Sequence, residues 1–154
     1  MNKNTLILRR YQQSDLSSVL KLHKLALGDA DIGDGPWDDD LLNVPETYIN
    51  NRGDFLVGFC DRNLVAMGAL RKINNADAEI KRIRVHPDYQ RRGFGGSLLT
   101  NLESKAKSYG YAHLTLDTTI HQTTAIRFFQ KMGYTQNEAM KSKLPNQIFF
   151  EKSI

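Results

Sequence analysis

Apolar and polar residues recur along the chain with periods that predict both strands and helices. A short apolar run at residues 5–10 predicts a first strand. Ser14-Asp15 then begins a helix whose apolar positions keep helical spacing as far as Leu27, and Gly28 ends it. A glycine-rich loop follows and leads into a second helical stretch, which Pro45 interrupts.

Two longer apolar runs predict a β-hairpin. They occupy residues 55–60 and 64–70, and the turn-forming residues Asp61-Arg62-Asn63 lie between them. Both runs are rich in residues that favour strands, so we expect them to pair as antiparallel neighbours.

The next strand, residues 78–85, has an uneven pattern. In a regular strand Ile80 lies on one face, whereas Ile83 and Val85 lie on the other. A β-bulge near Lys81-Arg82 would bring the three side chains to one face, so we expect a bulge there.

The carboxyl half alternates between helical and strand patterns. After a loop at residues 86–95, apolar residues recur at helical spacing up to Gly110, namely Leu98, Leu99, Leu102, Ala106 and Tyr109. Residues 112–117 then alternate as a strand, a second helical face ends at Gly133, and Phe149-Phe150 mark a last strand. This order predicts a mixed α/β fold in which at least one parallel pair of strands is joined through a helix.

Composition narrows the class of protein. A chain of 154 residues, with 40% hydrophobic and 25% charged residues, predicts one globular domain over residues 1–154. The single cysteine, Cys60, cannot form an intrachain disulfide, and no Cys/His cluster has the spacing of a metal site. No apolar run reaches the roughly 18 residues of a membrane span, and the amino end lacks a signal peptide. We therefore expect a cytoplasmic protein with neither metal nor membrane contact.

Charge is unevenly placed. The net charge is +4. The chain has an acidic segment made of Asp29, Asp31, Asp34, Asp38, Asp39 and Asp40, and a basic segment made of Lys81, Arg82, Arg84, Arg91 and Arg92. A basic protein can bind nucleic acid, an anionic membrane or a phosphorylated ligand. The arginines lie in a loop before a helix and lack the interleaved aromatic residues of a nucleic-acid groove. We therefore expect no nucleic-acid partner.

The segment from Val85 to Ser97 carries the clearest chemistry. It ends a strand, turns through glycines and begins an amphipathic helix, whose first amides and macrodipole favour an anion. Three glycines, Gly93, Gly95 and Gly96, allow the backbone to approach a phosphate closely. Two arginines, Arg91 and Arg92, add positive charge beside them. A tight turn without a ligand is the alternative. The segment matches neither a Walker A loop nor a dinucleotide fingerprint.

These residues resemble the GNAT superfamily of N-acetyltransferases. The signature is Gln90-Arg-Arg-Gly93-Phe-Gly95 after a Val-x-Pro strand end, followed by a second motif from Ala125 to Tyr134. The resemblance is strong over residues 78–135. It implies a mostly antiparallel central sheet, with helices on both faces and a parallel strand pair that splays at the cofactor site.

The resemblance also implies acetyl-coenzyme A as co-substrate. Its pyrophosphate would bind the backbone amides of residues 91–96, and its pantetheine arm would pair with β-strand residues 83–85. The cofactor-binding residues implied in this way are Ile83, Arg84, Val85, Gln90, Arg91, Arg92, Gly93, Phe94, Gly95, Gly96, Ser97, Gln122 and Phe129.

Acetyl transfer to an amine requires a base and an oxyanion donor. By the resemblance, Glu79 is the general base, acting through water, and the backbone N–H of Val85 or its neighbour is the oxyanion donor. The alternative for Glu79 is an edge carboxylate paired with Lys81 or Arg82.

One position departs from the family pattern. Phe129 stands where the family commonly has a tyrosine whose hydroxyl protonates the leaving thiolate. One alternative is that the thiolate leaves without protonation, because a thiol with a pKa of about 8.5 is a fair leaving group at neutral pH. The other is that His121, Thr118, Tyr89 or water donates the proton.

The resemblance leaves the acceptor open. We expect direct transfer to a primary amine of a small molecule or peptide, with Asp34, Trp37 and Asp117 as candidate substrate residues. The stretch after Leu116 is weakly similar to the camello-like subgroup. Family members often form dimers, so a homodimer is compatible with the chain. A coenzyme A-binding module without turnover is the alternative function, and an acyl-enzyme on Cys60 is disfavoured because no histidine accompanies it in sequence.

Overall fold

A computed structural model describes residues 5–27, 39–140 and 144–154 of the chain. Within these ranges, four α-helices and seven β-strands follow one another in chain order. They are β1 (Ile7–Arg10), α1 (Leu16–Leu27), α2 (Asp39–Leu42), β2 (Asp54–Cys60), β3 (Asn63–Lys72), β4 (Asp77–Val85), α3 (Phe94–Ser108), β5 (His113–Thr119), α4 (Thr123–Lys131), β6 (Thr135–Gln136) and β7 (Gln147–Ser153). A separate helical turn, Pro45–Ile49, follows α2.

The strands form one sheet in the order β1-β2-β3-β4-β5-β7-β6. Within the described part of the chain, every neighbouring pair is antiparallel except β4 and β5, which run parallel and are connected through α3. The predicted mixed α/β fold, with one parallel pair joined through a helix, is confirmed.

Each face of the sheet carries its own hydrophobic core. On one face α3 and α4 pack on the sheet through residues such as Leu98, Leu102 and Phe129. On the other face α1, α2 and the following helical turn bury residues such as Val19 and Tyr48. Helices therefore cover both faces, as the resemblance implied.

The predicted hairpin is confirmed as β2 and β3. Asp61 and Arg62 connect the strands, and both have positive φ angles of 51° and 68°. Two consecutive left-handed residues give the tight turn whose twist matches that of paired strands.

The predicted bulge in β4 is also confirmed. Lys81 pairs with Ala69 and Arg84 pairs with Met67, so two residues of β4 lie opposite the single residue Gly68. Arg82, the first of the two, has a φ of 60°. The extra residue turns Ile83 toward α3, where it packs beside Gly68.

One predicted boundary is wrong, and one strand was not predicted. The loop expected at residues 86–95 ends earlier, because Gly93, with a φ of 80°, caps α3 and the helix begins at Phe94. Gly95 and Gly96 therefore lie inside the first helical turn. The short strand β6 was not predicted, since two exposed residues carry no alternation. The predicted end of α1 at Gly28 lies outside the described residues.

Candidate functional site

A cavity of about 510 Å³ opens where β4 and β5 separate. The two strands pair only from Asp77 to Glu79 on β4 and from His113 to Thr115 on β5, and they part beyond that point. The cavity wall comes from both strands, from α4 with its N-cap residue, and from one residue that precedes β7. The lining residues are Ile80, Lys81, Arg82, Ile83, Arg84, Leu116, Asp117, Thr118, Gln122, Ala125, Phe128, Phe129 and Leu144. Its volume lies within the range of small-molecule sites.

The amino end of α3 lies next to this cavity. The N-cap residue of α3 is Gly93, so no N-cap side chain accepts hydrogen bonds from the first amides of the helix. The Ser97 amide donates to the Gly93 carbonyl. Phe128 connects the two places, because it lines the cavity and its ring lies 3.4 Å from where a side chain at Gly95 would begin. A ligand with an anionic end and an extended neutral arm fits this arrangement.

The loop before α3 is held by its own side chains. Arg91 has a φ of 63°, and the guanidinium of Arg92 stacks on Tyr89 and donates to the Asp88 carbonyl. The ring of Tyr89 stacks in turn on Phe94. These contacts keep the positive charge of Arg92 beside the start of α3.

The predicted cofactor residues divide into two groups. Four of them line the cavity, namely Ile83, Arg84, Gln122 and Phe129. The other nine are Val85, which ends β4, and the residues of the loop and first turn of α3: Gln90, Arg91, Arg92, Gly93, Phe94, Gly95, Gly96 and Ser97. The first group thus lines the cavity, and the second lies at the end of β4 and around the start of α3, where Phe128 of the cavity wall lies beside Gly95.

Side chains already contact the β4 carbonyls in this cleft. Arg84 donates to the Ile83 carbonyl at 2.9 Å, and Gln90 donates to the Val85 carbonyl at 3.2 Å. A carbonyl oxygen has two lone pairs, so each can accept a second hydrogen bond from an amide-bearing ligand.

Glu79 lies at the point where the strands part. It is not among the described residues that line the cavity, but Lys81 and Asp117 on either side of it are. Its carboxylate lies 3.8 Å from the Lys81 ammonium and 3.9 Å from the Arg71 guanidinium. The predicted ion pair with Lys81 is therefore confirmed, and the alternative pairing with Arg82 is wrong. Burial, with a contribution from Asp117, raises the pKa of Glu79 above its ordinary value despite the two cations.

Arg82 instead belongs to a buried cluster that the sequence did not reveal. Its guanidinium donates to both carboxylate oxygens of Asp40, at 2.9 and 2.5 Å, and the Tyr48 hydroxyl donates to the same carboxylate at 2.5 Å. Burial raises the pKa of Asp40, but these hydrogen bonds outweigh it and hold the pKa below its ordinary value. Nothing in the acidic segment distinguishes Asp40 from its neighbours, because its partner is distant in sequence.

On the other side of the cavity, β5 contributes polar side chains. Asp117 lines the cavity and accepts a hydrogen bond from Gln147 at 2.9 Å. The buried Thr118 hydroxyl donates to Gln122 at 2.9 Å. Both side chains are therefore oriented by a neighbour before any ligand binds.

The remaining candidates are distributed as follows. Phe129 is buried and carries no hydroxyl, while the exposed His121 and the half-buried Tyr89 are not among the described residues of the cavity wall. Asp34 and Trp37 lie outside the described residues. Cys60 is buried in β2. The described ranges contain no cluster of three metal-binding side chains and no helix long and apolar enough to cross a membrane.

Comparisons with known proteins agree with this geometry. The family model described as "Acetyltransferase (GNAT) family" matches residues 19–134. The [Ribosomal protein bS18]-alanine N-acetyltransferase of Escherichia coli is 26% identical over 112 residues, which cover 71% of this chain and 72% of the relative.

Solved structures share the fold. An acetyltransferase from Streptococcus agalactiae superposes with a TM-score of 0.88 and 17% identity, covering 100% of both chains. The PaiA N-acetyltransferase of Thermoplasma acidophilum, solved in complex with coenzyme A, superposes with a TM-score of 0.78 and 19% identity, covering 97% of this chain and 99% of that one.

Proposed function

Because the chain belongs to the acetyltransferase (GNAT) family, we propose that it transfers the acetyl group of acetyl-CoA directly to a primary amine. The observation that carries the proposal is the separation of β4 from β5 beyond Glu79. It creates a cleft of about 510 Å³ that leads to the amino end of α3. A long ligand with a phosphorylated end fits that shape and charge.

The chain's own groups suit such a ligand. The first amides of α3 and the charges of Arg91 and Arg92 suit the pyrophosphate. The backbone between Ile83 and Val85 suits the amide-bearing arm, since a parted strand can accept an added strand. Acetyl-CoA bound in this way supplies the activated acetyl group. The half-buried Phe128 and the buried Phe129 exclude water from the wall that α4 contributes.

Glu79 is the proposed base. An amine must lose a proton before it can attack, and a carboxylate whose pKa lies above its ordinary value is a stronger base at neutral pH. Since Glu79 lies beside the cavity rather than in its wall, it takes the proton through a water molecule. Asp117, which lines the cavity, attracts the cationic form of the acceptor.

Proposed donors complete the reaction. The backbone N–H of Val85 or its neighbour stabilises the oxyanion that forms on the acetyl group. Among the groups that replace the missing tyrosine hydroxyl, Thr118 is favoured because it lines the cavity. Its one hydroxyl hydrogen is donated to Gln122 in the free protein, so the hydroxyl has to turn away from Gln122 to donate to the thiolate. His121 and Tyr89 lie outside the described cavity wall.

The acceptor is an amine of a small molecule or peptide. The relative from Escherichia coli is named for the alanine of a ribosomal protein, which makes a peptide amino terminus one member of this class. The second candidate function is a coenzyme A-binding module without turnover, and the observation that favours it is the buried phenylalanine at position 129.

Calorimetry and thiol release test the proposal together. We expect the purified chain to bind coenzyme A and acetyl-CoA, and to release thiol with at least one amine in a panel of amino acids, polyamines and peptides. Arg91→Ala should weaken binding, whereas Lys107→Ala should not, because Lys107 lies exposed in the last turn of α3, about 20 Å along the helix. Binding without turnover across the panel would favour the second candidate. No heat with either ligand would contradict both.

A further inference from the structure

The ion pair between Asp40 and Arg82 joins the first turn of α2 to the bulge in β4. Asp40 lies in the first turn of α2, immediately after the part of the chain that is not described, and Arg82 is the left-handed residue of the bulge. The side chains of both residues are largely buried, with 17% and 12% exposed. The pair therefore connects two elements that are far apart in sequence at the edge of the cavity.

The geometry of the pair is that of a two-point clamp. Nε and Nη2 of Arg82 each donate to a different carboxylate oxygen of Asp40, and the Tyr48 hydroxyl donates to the oxygen that also accepts from Nε. Such a bidentate arrangement fixes the direction of the guanidinium as well as its position. Tyr48 is fully buried, so the clamp is anchored in the core below α2.

The backbone at Arg82 requires such support. A residue other than glycine at a φ of 60° is disfavoured by its own side chain. Beyond this residue, Ile83 turns toward α3 and the chain continues to Val85, at the place where β4 no longer pairs with β5. The left-handed conformation of Arg82, together with the pairing of Arg84 and Val85 to β3, thus sets the direction of the backbone that faces the cavity.

We propose that Asp40 is a positioning residue, which holds Arg82 in its left-handed conformation and thereby orients the backbone of residues 83–85 toward the bound cofactor. The proposal rests on the proposed function for its ligand, but the conformation itself is a property of the free protein. Asp40 does not touch the reacting atoms in this scheme. It acts through Arg82.

Two paired variants separate the backbone effect from the burial of charge. Asp40→Ala removes the clamp, so we expect coenzyme A to bind about tenfold more weakly in calorimetry, which corresponds to about 1.4 kcal/mol. Adding Arg82→Gly should restore most of the affinity, because glycine adopts a positive φ without support. Adding Arg82→Ala should not, although it removes the same buried cation.

A matched ion pair elsewhere provides the control. Asp15 accepts two hydrogen bonds from Arg9, at 2.7 and 2.9 Å, near the edge strand β1 and away from the cavity wall. Asp15→Ala should lower the melting temperature, as Asp40→Ala does, and leave coenzyme A affinity unchanged. The comparison distinguishes positioning from general destabilisation.

Hydrogen exchange provides a readout that needs no ligand. In free Asp40→Ala protein, the peptide that contains β4 should exchange faster, and the Arg82→Gly double variant should return it toward the parent rate. Unchanged affinity and exchange in a folded Asp40→Ala protein would overturn the inference, as would equal rescue by glycine and alanine. If the parent chain binds no coenzyme A but the exchange pattern holds, the proposed function fails and the conformational role of Asp40 stands.

Discussion

Gly68 lies opposite the bulge in β4, and replacing it by alanine should disturb both stability and cofactor binding. An added Cβ would lie 2.8 Å from Ile83 Cδ1, 3.0 Å from Leu98 Cδ2 and 3.1 Å from Leu102 Cδ1. Gly68 has no positive φ, so the backbone itself accepts alanine and the cost comes from crowding. Ile83 is the closest neighbour, and it lines the cavity.

The magnitude follows from two opposing effects. Overpacking a core by one methyl group costs about 2 kcal/mol, while replacing glycine stabilises by about 0.7 kcal/mol through the unfolded chain. The net loss of about 1 kcal/mol lowers the melting temperature of a domain of this size by about 3 °C. If the displacement of Ile83 costs a similar free energy in the bound state, coenzyme A affinity falls about fivefold.

Gly58 provides the control for this prediction. An added Cβ there meets the same degree of crowding, 2.8 Å from Leu6 Cδ1 and 3.1 Å from both Ala66 Cβ and Leu8 Cδ2, but next to β1 rather than at the cavity. Thermal unfolding and calorimetry with coenzyme A should show similar destabilisation for both variants and weaker binding for Gly68→Ala alone. Equal affinities in the two variants would refute the argument that crowding at Gly68 is transmitted through Ile83.

Three further predictions test the site and the fold. Glu79→Gln should reduce thiol release at neutral pH by about a hundredfold and recover at high pH, where the amine is already neutral; an unchanged pH profile would exclude Glu79 as base. Gly93→Ala, at a φ of 80°, should weaken coenzyme A binding, whereas Gly110→Ala, at a φ of 88° beyond the other end of α3, should only destabilise the fold. Arg9 lowers the pKa of Asp15 through its hydrogen bond, so this contribution to stability is present above the unfolded pKa and is lost as the pH falls through the folded one. Asp15→Asn should accordingly lower the urea midpoint at pH 7, and the difference from the parent should disappear in acid; a constant difference at every pH would contradict the assignment.

Local pattern was sufficient for the order of the longer elements, and it predicted a region for the site. The uneven alternation in residues 78–85 predicted a bulge, and the structure has that bulge at Arg82. Ile80 and Ile83 pack in the core beneath α3, whereas Val85 packs in a separate cluster with Phe94. The glycines and arginines before α3 indicated an anion site, because helix starts expose amides whatever the rest of the fold does. Boundaries were less exact, and α3 begins at Phe94 because the left-handed conformation of Gly93 ends the loop.

The sequence by itself determined which longer segments form strands and helices, since side-chain periodicity acts over a few residues, and it predicted an anion-binding loop before α3. Only the tertiary structure decided that β4 and β5 part after Glu79, that Phe129 is buried in the resulting wall, and that Asp40 pairs with Arg82 across 42 positions. The physical reason is that burial, charge pairing and strand separation depend on contacts between distant segments. Local propensity does not encode those contacts.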